Sequence, residues 1–310
     1  METPVSAVPQ DATQVVVFVN VKAGARPAMP RVKRLAELLV ERGFHAEVLS
    51  DFDAAADRAN RAYQAGTLRA LVAAGGDGTV AALVNRTLAG VPITVLPSGT
   101  ENLLARHFHL GRRPESCCRT IAAGRARGFD AGSASGKLFL LMAGCGFDAD
   151  IVARVHRQRT GHIDRTNYFK PIFETIRNYQ YPELRVEWLQ PGDGSAGSET
   201  AVTSARWLFA FNLPRYAVGL RVIPDADADD GLLDVCTFRH GGLLHGLWYA
   251  GAVLLRQQEH LADYQRRRAC RLRVSSAAEV PYQLDGDPGG VLPVEIEVLP
   301  GRLTLLTPAE

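Results

Sequence analysis

The chain has 310 residues, 46% of them hydrophobic and 22% charged, which is ordinary globular composition at a length beyond the usual reach of one hydrophobic core, so two domains are expected. Lys and Arg number 35 against 33 Asp and Glu, a formal charge of +2, which gives no overall electrostatic footprint for nucleic acid, although arginine is dense around Arg154 to Arg165 and Arg266 to Arg273. The opening METPVSAVPQ is polar and holds proline, and no run of about 18 apolar residues occurs, so a cytoplasmic protein without spanning segment or secretion leader is expected.

Along the chain, QVVVFVN (Gln14 to Asn20) reads as a buried strand and VKRLAELLVERG (Val32 to Gly43) as a helix ending on glycine. HAEVLS is a second strand and DAAADRANRAYQAG a helix; then follow the strand LRALVAAG, the helix VAALVNRTLAG, the strand VPITVLP and the helix ENLLARHF. Regular alternation of strand and helix implies right-handed crossovers and a parallel sheet.

After about Arg125 the apolar runs become short and strand-like: KLFLLMAG, LRVEWL, ARWLFAFN, LLDVCTF, CRLRVSS, VPYQLDG, VEIEVL and LTLLTP. Helices are expected only near Asp148 to Gln158, Tyr168 to Tyr179 and Leu243 to Tyr264, and QPGDGSAGSET (Gln190 to Thr200) reads as a polar loop. The fold class is therefore an α/β N-terminal domain with a parallel sheet (residues 1–128) and a β-rich, mostly antiparallel, sandwich-like C-terminal domain (129–310), with the last residues free to pack back on the first. Five cysteines, an odd number with no C-x-x-C pair, are expected as reduced, mostly buried thiols.

Two turns carry the chemistry. In AGGDGT the glycines let main-chain N–H groups approach a ligand, and the helix that follows points its positive end at the same place, a combination suited to phosphate. VLPSGTENLLAR repeats the strand-turn-helix device with Ser98, Gly99 and Thr100. The alternative is plain helix capping, with Ser98 and Glu101 forming a capping box and Thr79 capping its own helix start. Neither a P-loop nor a G-x-G-x-x-G after the first strand is present.

Further on, DADADDG sets Asp225, Asp227, Asp229 and Asp230 within a few residues, hard oxygen ligands suited to Mg2+ or Ca2+, or else a solvated acidic loop. LDGDPGG reads on its own as a polar hairpin turn. The stretch LLHGLWYAGAVLLRQQEHLADYQRRR has an apolar part and a basic end, and RVHRQRTGHIDR adds cationic charge; the helix is expected to be a core helix with a basic tip, and the basic stretches read either as a surface that adsorbs to anionic lipid headgroups or as a solvated basic face.

FVNVKAG, GGDGTVAALVN, LPSGTENLLAR, AGCGFDADIV, PDADADDGLLDV and LDGD occur in this order over nearly the whole chain, and together they resemble the diacylglycerol kinase catalytic-domain family of bacterial lipid kinases and sphingosine kinases. The resemblance implies an ATP-dependent kinase of a lipid hydroxyl, with ATP contacts at Asn20, Val21, Lys22, Ala23 and Gly24, at Ser50, at Gly75, Gly76, Asp77, Gly78, Thr79, Val80 and Ala81, and at Thr100. It implies a structural Mg2+ on Asp227, Asp230 and the carbonyl of Leu232, with Asp77 helping to orient that network, and a proton-accepting carboxylate at Asp285 or Asp287. Ser50 stands where the family usually has Thr, Arg86 where it commonly has Gly, and Asp287 where it has Glu. Lipid is the implied partner, with peripheral attachment to an anionic inner membrane face and a homodimer left open. A soluble-substrate kinase of NAD or a sugar phosphate, or a nucleotide fold without turnover, are the alternatives; the lipid itself, whether diacylglycerol, sphingoid base, ceramide or another, has no readable code in the apolar residues.

Overall fold

The computed structural model describes residues 6–20, 28–157, 179–189, 201–215 and 221–308. Two compact units divide the chain: Met1–Asp130 with Pro300–Glu310, and Ala131–Leu299.

The first unit runs β1 (Ser6–Ala7), β2 (Gln14–Val19), α1 (Met29–Val40), β3 (His45–Leu49), α2 (Phe52–Gln64), β4 (Leu68–Gly75), α3 (Asp77–Val84), β5 (Pro92–Pro97), α4 (Leu103–His107), α5 (Pro114–Ala123) and most of β6 (Arg125–Ala134). Strands β3, β2, β4 and β5 lie side by side in that order, all parallel. Every residue of β4 is buried, because a parallel strand with cover on both faces has no polar side to show. On one face Val15, Val17, Val19, Ala70, Val72 and Ala74 join Val32, Leu35 and Leu39 of α1, which recur at helical spacing. Helix α2 starts on Asp51, whose carboxylate accepts from Ala54 N at 2.9 Å, and buries Ala55, Ala56, Ala59 and Ala62.

The second unit follows with β7 (Lys137–Phe139), β8 (Met142–Gly146), α6 (Phe147–Arg157), β9 (Leu184–Leu189), β10 (Ala201–Ala205), β11 (Trp207–Phe211), β12 (Leu233–Phe238), α7 (Leu243–Leu254), β13 (Tyr264–Ala269), β14 (Arg271–Ser275), β15 (Pro281–Leu284), β16 (Asp287–Val291) and β17 (Val294–Leu306). One antiparallel sheet has the order β13-β12-β11-β8-β15-β16; in the other, β10, β9, β14 and the start of β17 are neighbours. The sheets share one core in which Leu184, Val186, Leu272, Val274 and Ile296 meet Cys145, Leu208, Ala210, Val235 and Tyr282. Alternation is clean on β14, where Arg271 and Arg273 are exposed and Leu272 and Val274 buried, as a sandwich face requires.

Several elements differ from the sequence reading. VEIEVL and LTLLTP form one strand, β17, whose end pairs in parallel with β5 through Thr304 and Leu305. KLFLLMAG is broken into β7 and β8, since the N–H groups of Leu140, Leu141 and Met142 turn to the Asp285 carboxylate. The helix expected to run from Leu243 to Tyr264 stops at Leu254, and it is not a core helix: only Tyr249 is buried. The expected helix at Tyr168 to Tyr179 and loop at Gln190 to Thr200 fall outside the described residues, apart from Tyr179. Cys117, Cys118, Cys145 and Cys236 are buried free thiols and Cys270 a partly buried one.

Candidate active site

Four neighbouring parallel strands of the first unit end at residues expected at the nucleotide or just short of them: β2 before Asn20, β3 before Ser50, β4 before Gly76, and β5 before the turn Ser98-Gly99-Thr100, of which Thr100 was expected there. Side chains and main-chain groups from distant stretches of sequence thus collect at the carboxyl edge of the sheet, where open α/β folds bind ligands.

The β4 and β5 tips touch. A Cβ built on Gly99 would sit 2.6 Å from the Cα of Gly76, and one built on Gly76 would sit 3.2 Å from the Cα of Gly99. Both positions need glycine because two backbones pass at a distance that leaves no space for a methyl group. Asn102 holds the second turn by accepting from Gly99 N at 2.9 Å and donating to Gly99 O at 2.6 Å; its φ of 50° is in the left-handed region, which Asn tolerates better than most residues. From β2, Asn20 Nδ2 donates to Thr79 Oγ1 at 3.1 Å.

Asp77 links the two turns. Its carboxylate oxygens accept from Leu103 N and Leu104 N, both at 2.9 Å. The expectation that both turns present open helix starts is corrected here: α4 spends its first N–H groups on Asp77, and α3 alone, capped by Gly76 without a side-chain hydrogen bond, offers its N-terminus. The capping alternatives fail for the same reason, since α4 begins at Leu103, beyond the reach of a Ser98/Glu101 box, and Thr79 lies inside α3. Asp77 thus serves as a cap within its own unit, and the metal-orienting role expected of it competes with that bond. Burial pushes its carboxyl above the usual carboxylate range, with the two N–H donors pulling the other way.

Ser98 supplies the signal for a ligand. Its hydroxyl oxygen is buried and has no hydrogen-bond partner among the described residues, although it lies in the turn that meets Gly76; buried hydroxyls are normally paired. Ser50 and Thr100 are exposed at the same sheet edge, while Val21, Lys22, Ala23 and Gly24 lie outside the described residues. Gly75 closes β4 and is crowded by the Thr79 side chain; Gly78, Thr79, Val80 and Ala81 form the first turns of α3.

In the second unit Asp285 and Gly286 have φ values of 53° and 86° and join β15 to β16 with Leu284 paired to Asp287, which is the two-residue hairpin that Asp-Gly favours. Asp285 turns its carboxylate onto Leu140 N at 2.7 Å, Leu141 N at 2.8 Å and Met142 N at 3.0 Å. Asp287 is exposed, and its side chain forms no hydrogen bond with the described residues. Gln283, fully buried, steadies the hairpin from beneath: Oε1 accepts from Gly286 N at 2.8 Å and Nε2 donates to Asp148 Oδ2 at 2.9 Å. Sequence reading passed over Gln283, Asp148 and Asn102, since an amide at a strand or turn position looks like any polar residue until its partners are known.

The acidic loop meets arginines. Asp225, Asp227 and Asp230 line a cavity of about 500 Å³ with Arg266, Arg267 and Arg268. Arg266 makes a two-point pair with Asp225 at 2.8 and 3.1 Å and also bonds the buried Asp234, and its guanidinium holds the Asp225 carboxyl below the usual range. Asp230 accepts from Leu232 N at 2.9 Å and pairs with Arg268. Part of the charge that a cation was expected to neutralise, on Asp225 and Asp230, is thus met by arginine, and among the described residues no group of three His, Cys, Asp or Glu converges on a metal-sized space. Asp230 Oδ2 is buried with no hydrogen-bond donor among the described residues while Arg268 lies against it, so a cation on Asp227, Asp230 and the Leu232 carbonyl would meet Arg268 at that oxygen.

A unit with a glycine turn at the edge of a parallel sheet, followed by a β-sandwich unit with an exposed carboxylate hairpin, is an arrangement that its relatives place among kinases of a hydroxyl acceptor. Residues 14–134 match the diacylglycerol kinase catalytic domain and residues 142–307 the YegS C-terminal NAD kinase beta sandwich-like domain. The chain belongs to the diacylglycerol kinase catalytic-domain family. It is 27% identical over 247 residues to a diacylglycerol kinase of Bacillus subtilis, covering 77% of this chain and 78% of that one. It is 26% identical over 249 residues to a Synechocystis protein, covering 77% of this chain but only 55% of the relative. Among solved structures, a diacylglycerol kinase from Bacillus anthracis matches with a TM-score of 0.66 at 20% identity over 95% of this chain and 97% of that one. An NAD kinase from Archaeoglobus fulgidus in complex with ATP matches with a TM-score of 0.51 at 14% identity over 95% and 93%. No helix of the described residues is long and apolar enough to cross a membrane.

Proposed function

We propose that the protein is an ATP-dependent lipid kinase that transfers the γ-phosphoryl group to a hydroxyl of a lipid such as diacylglycerol or a sphingoid base. The observation that carries the reading is the Ser98 hydroxyl, buried and unpartnered among the described residues, in the turn that meets Gly76, a preformed donor next to an open helix N-terminus where a polyphosphate finds its hydrogen bonds. The names of the relatives, diacylglycerol kinases with matched catalytic domains, favour lipid as the acceptor class.

In the reaction, the α3 N-terminus and the glycine turns hold the phosphate tail, with Asn20, Ser50 and Thr100 beside it. Of the two candidate carboxylates, Asp287 is the better base. Asp285 already has its oxygens engaged by three main-chain donors, whereas Asp287 is exposed and without a hydrogen bond among the described residues. Asp287 accepts the proton of the lipid hydroxyl as its oxygen bonds to the γ-phosphorus; the bond from phosphorus to the bridging oxygen breaks and ADP leaves with the electron pair. Mg2+ enters with ATP as part of the substrate and neutralises phosphate charge. Working on a membrane-held lipid implies peripheral attachment to an anionic surface.

Incubation with radiolabelled ATP, magnesium and a panel of lipids plus NAD, resolved by chromatography, tests the reading. Labelled lipid is the expected product. Labelled NAD in its place would move the protein to the soluble-substrate kinases, and no labelled product from any acceptor would leave a nucleotide fold without turnover.

A further inference from the structure

Helix α7 carries no acidic or strongly basic residue in LLHGLWYAGAVL. One side of it packs on its own unit: Tyr249 is buried, its hydroxyl donates to the Asp263 carboxylate, and a Cβ on Gly246 would touch the Trp207 ring at 3.3 Å. The other side is open. Leu243, Leu244, Leu247, Trp248 and Leu254, with Leu255 just past the helix, are all exposed, Leu244 by 79%, Trp248 by 65% and Leu255 by 74%. At about 100° per residue these six fall in one stripe. Single exposed apolar residues are normal on a protein surface, whereas a continuous stripe of large ones marks a surface that something covers.

The charges around the stripe say what covers it. From Arg239 to Arg256 there is no Asp or Glu. Arg239 and His240 precede the helix, His245 is in its first turn and Arg256 follows it, all four exposed. A cavity of about 670 Å³ is lined in part by Arg206, Arg239, His240 and His245, and its one carboxylate, Glu183, lies 4.0 Å from Arg206. An apolar stripe framed by cations, with a Trp at its margin, complements the boundary of an anionic bilayer: leucines reach the acyl region, the indole sits at the headgroup level and guanidinium groups meet phosphate. At 1.5 Å per residue the helix is about 18 Å long, too short to span and suited to lying flat. A second copy fits less well, because antiparallel pairing of two such helices about a twofold axis sets Arg239 of one against Arg256 of the other.

We infer that the Leu243–Leu255 stripe, framed by Arg239 and Arg256, is the surface by which this protein lies on an anionic bilayer. Its purpose, access to a membrane-held substrate, rests on the lipid-kinase reading; its test does not. The full chain is sedimented without ATP with phosphatidylcholine vesicles and with vesicles of phosphatidylcholine and phosphatidylglycerol, and tryptophan emission is recorded. Trp188 and Trp207 are only 8% and 7% exposed, so a blue shift on binding reports Trp248 and disappears in Trp248→Phe. The wild type is expected to pellet with the anionic vesicles. Leu244→Glu/Leu247→Glu, a change on exposed positions, is expected to weaken partitioning about tenfold or more, and Arg239→Glu/Arg256→Glu to remove the preference for anionic lipid. Activity of the leucine variant on a short-chain soluble acceptor should equal that of the wild type, so a failed kinase reading shows up there and a failed docking surface in the sedimentation. Absence of vesicle binding by the wild type, equal binding by the leucine variant, or a wild-type dimer that the leucine variant splits without loss of vesicle binding would overturn the inference.

Discussion

Gly76 and Gly99, from the ends of two neighbouring parallel strands, approach so closely that a Cβ on Gly99 would lie 2.6 Å from the Cα of Gly76. Gly99→Ala therefore forces the β4 and β5 tips apart and tilts the N–H groups of both turns. Calorimetry is expected to show a loss of about 1–3 kcal/mol, and titration with a non-hydrolysable ATP analogue a loss of binding. Gly76→Ala, where the added carbon would meet Gly99 Cα at 3.2 Å, should show the smaller effect on both.

Asp77 caps α4 through Leu103 N and Leu104 N, and Asp77→Asn keeps one acceptor oxygen while losing the charge. A cost of about 1 kcal/mol is expected. Burial raises the carboxyl of Asp77 above its unfolded value, so its contribution is fully present below the unfolded pKa and declines as pH rises through the folded one. Unfolding measured across the acid range should show the largest gap between wild type and Asp77→Asn at the lowest pH, narrowing as pH rises. A gap that widens with pH contradicts the assignment.

Asp285 and Asp287 should separate by readout. Asp285→Asn keeps one acceptor oxygen for Leu141 N and Met142 N but turns its NH2 onto Leu140 N, leaving that donor unmet at a cost of about 1–3 kcal/mol. Asp287→Asn, on an exposed side chain with no hydrogen bond to the described residues, should leave stability within about 0.5 kcal/mol while kcat falls about 10²–10⁴-fold. Full activity in Asp287→Asn with the melting temperature unchanged would remove it as the base.

Arg268 lies against the Asp230 carboxylate, the group that a cation on the acidic loop would need. In the absence of nucleotide, Mg2+ is expected to raise the melting temperature of Arg268→Ala more than that of the wild type, by about 2–4 °C per kcal/mol of binding energy for a chain of this size. Equal shifts in both proteins would show that the arginine does not occupy the cation position.

Much of this molecule could be read from local pattern. The helix/strand alternation before Arg125 and the short apolar runs after it identify the two kinds of unit, because hydrophobic period follows directly from which faces a segment buries. GGDGT and the Asp-Gly hairpin were legible for a similar reason: glycine and Asp-Gly mark backbone conformations and close approaches that few other residues allow. The fate of individual polar groups was not legible. Asp77 as the cap of a helix 26 residues away, Asp285 turned onto the main chain of Leu140 to Met142, and the arginines of β13 against the acidic loop all depend on partners distant in sequence. The exposed side of α7 was misread because an apolar helix has the same composition whether its neighbours cover it or not. Sequence alone determined the kinds of element in each unit and the special backbone positions, which are local properties of a few residues, but not where every element breaks or joins. Only the tertiary structure decided which carboxylates are occupied and which apolar surface is left uncovered, since hydrogen bonds and burial are relations between segments that no single segment contains.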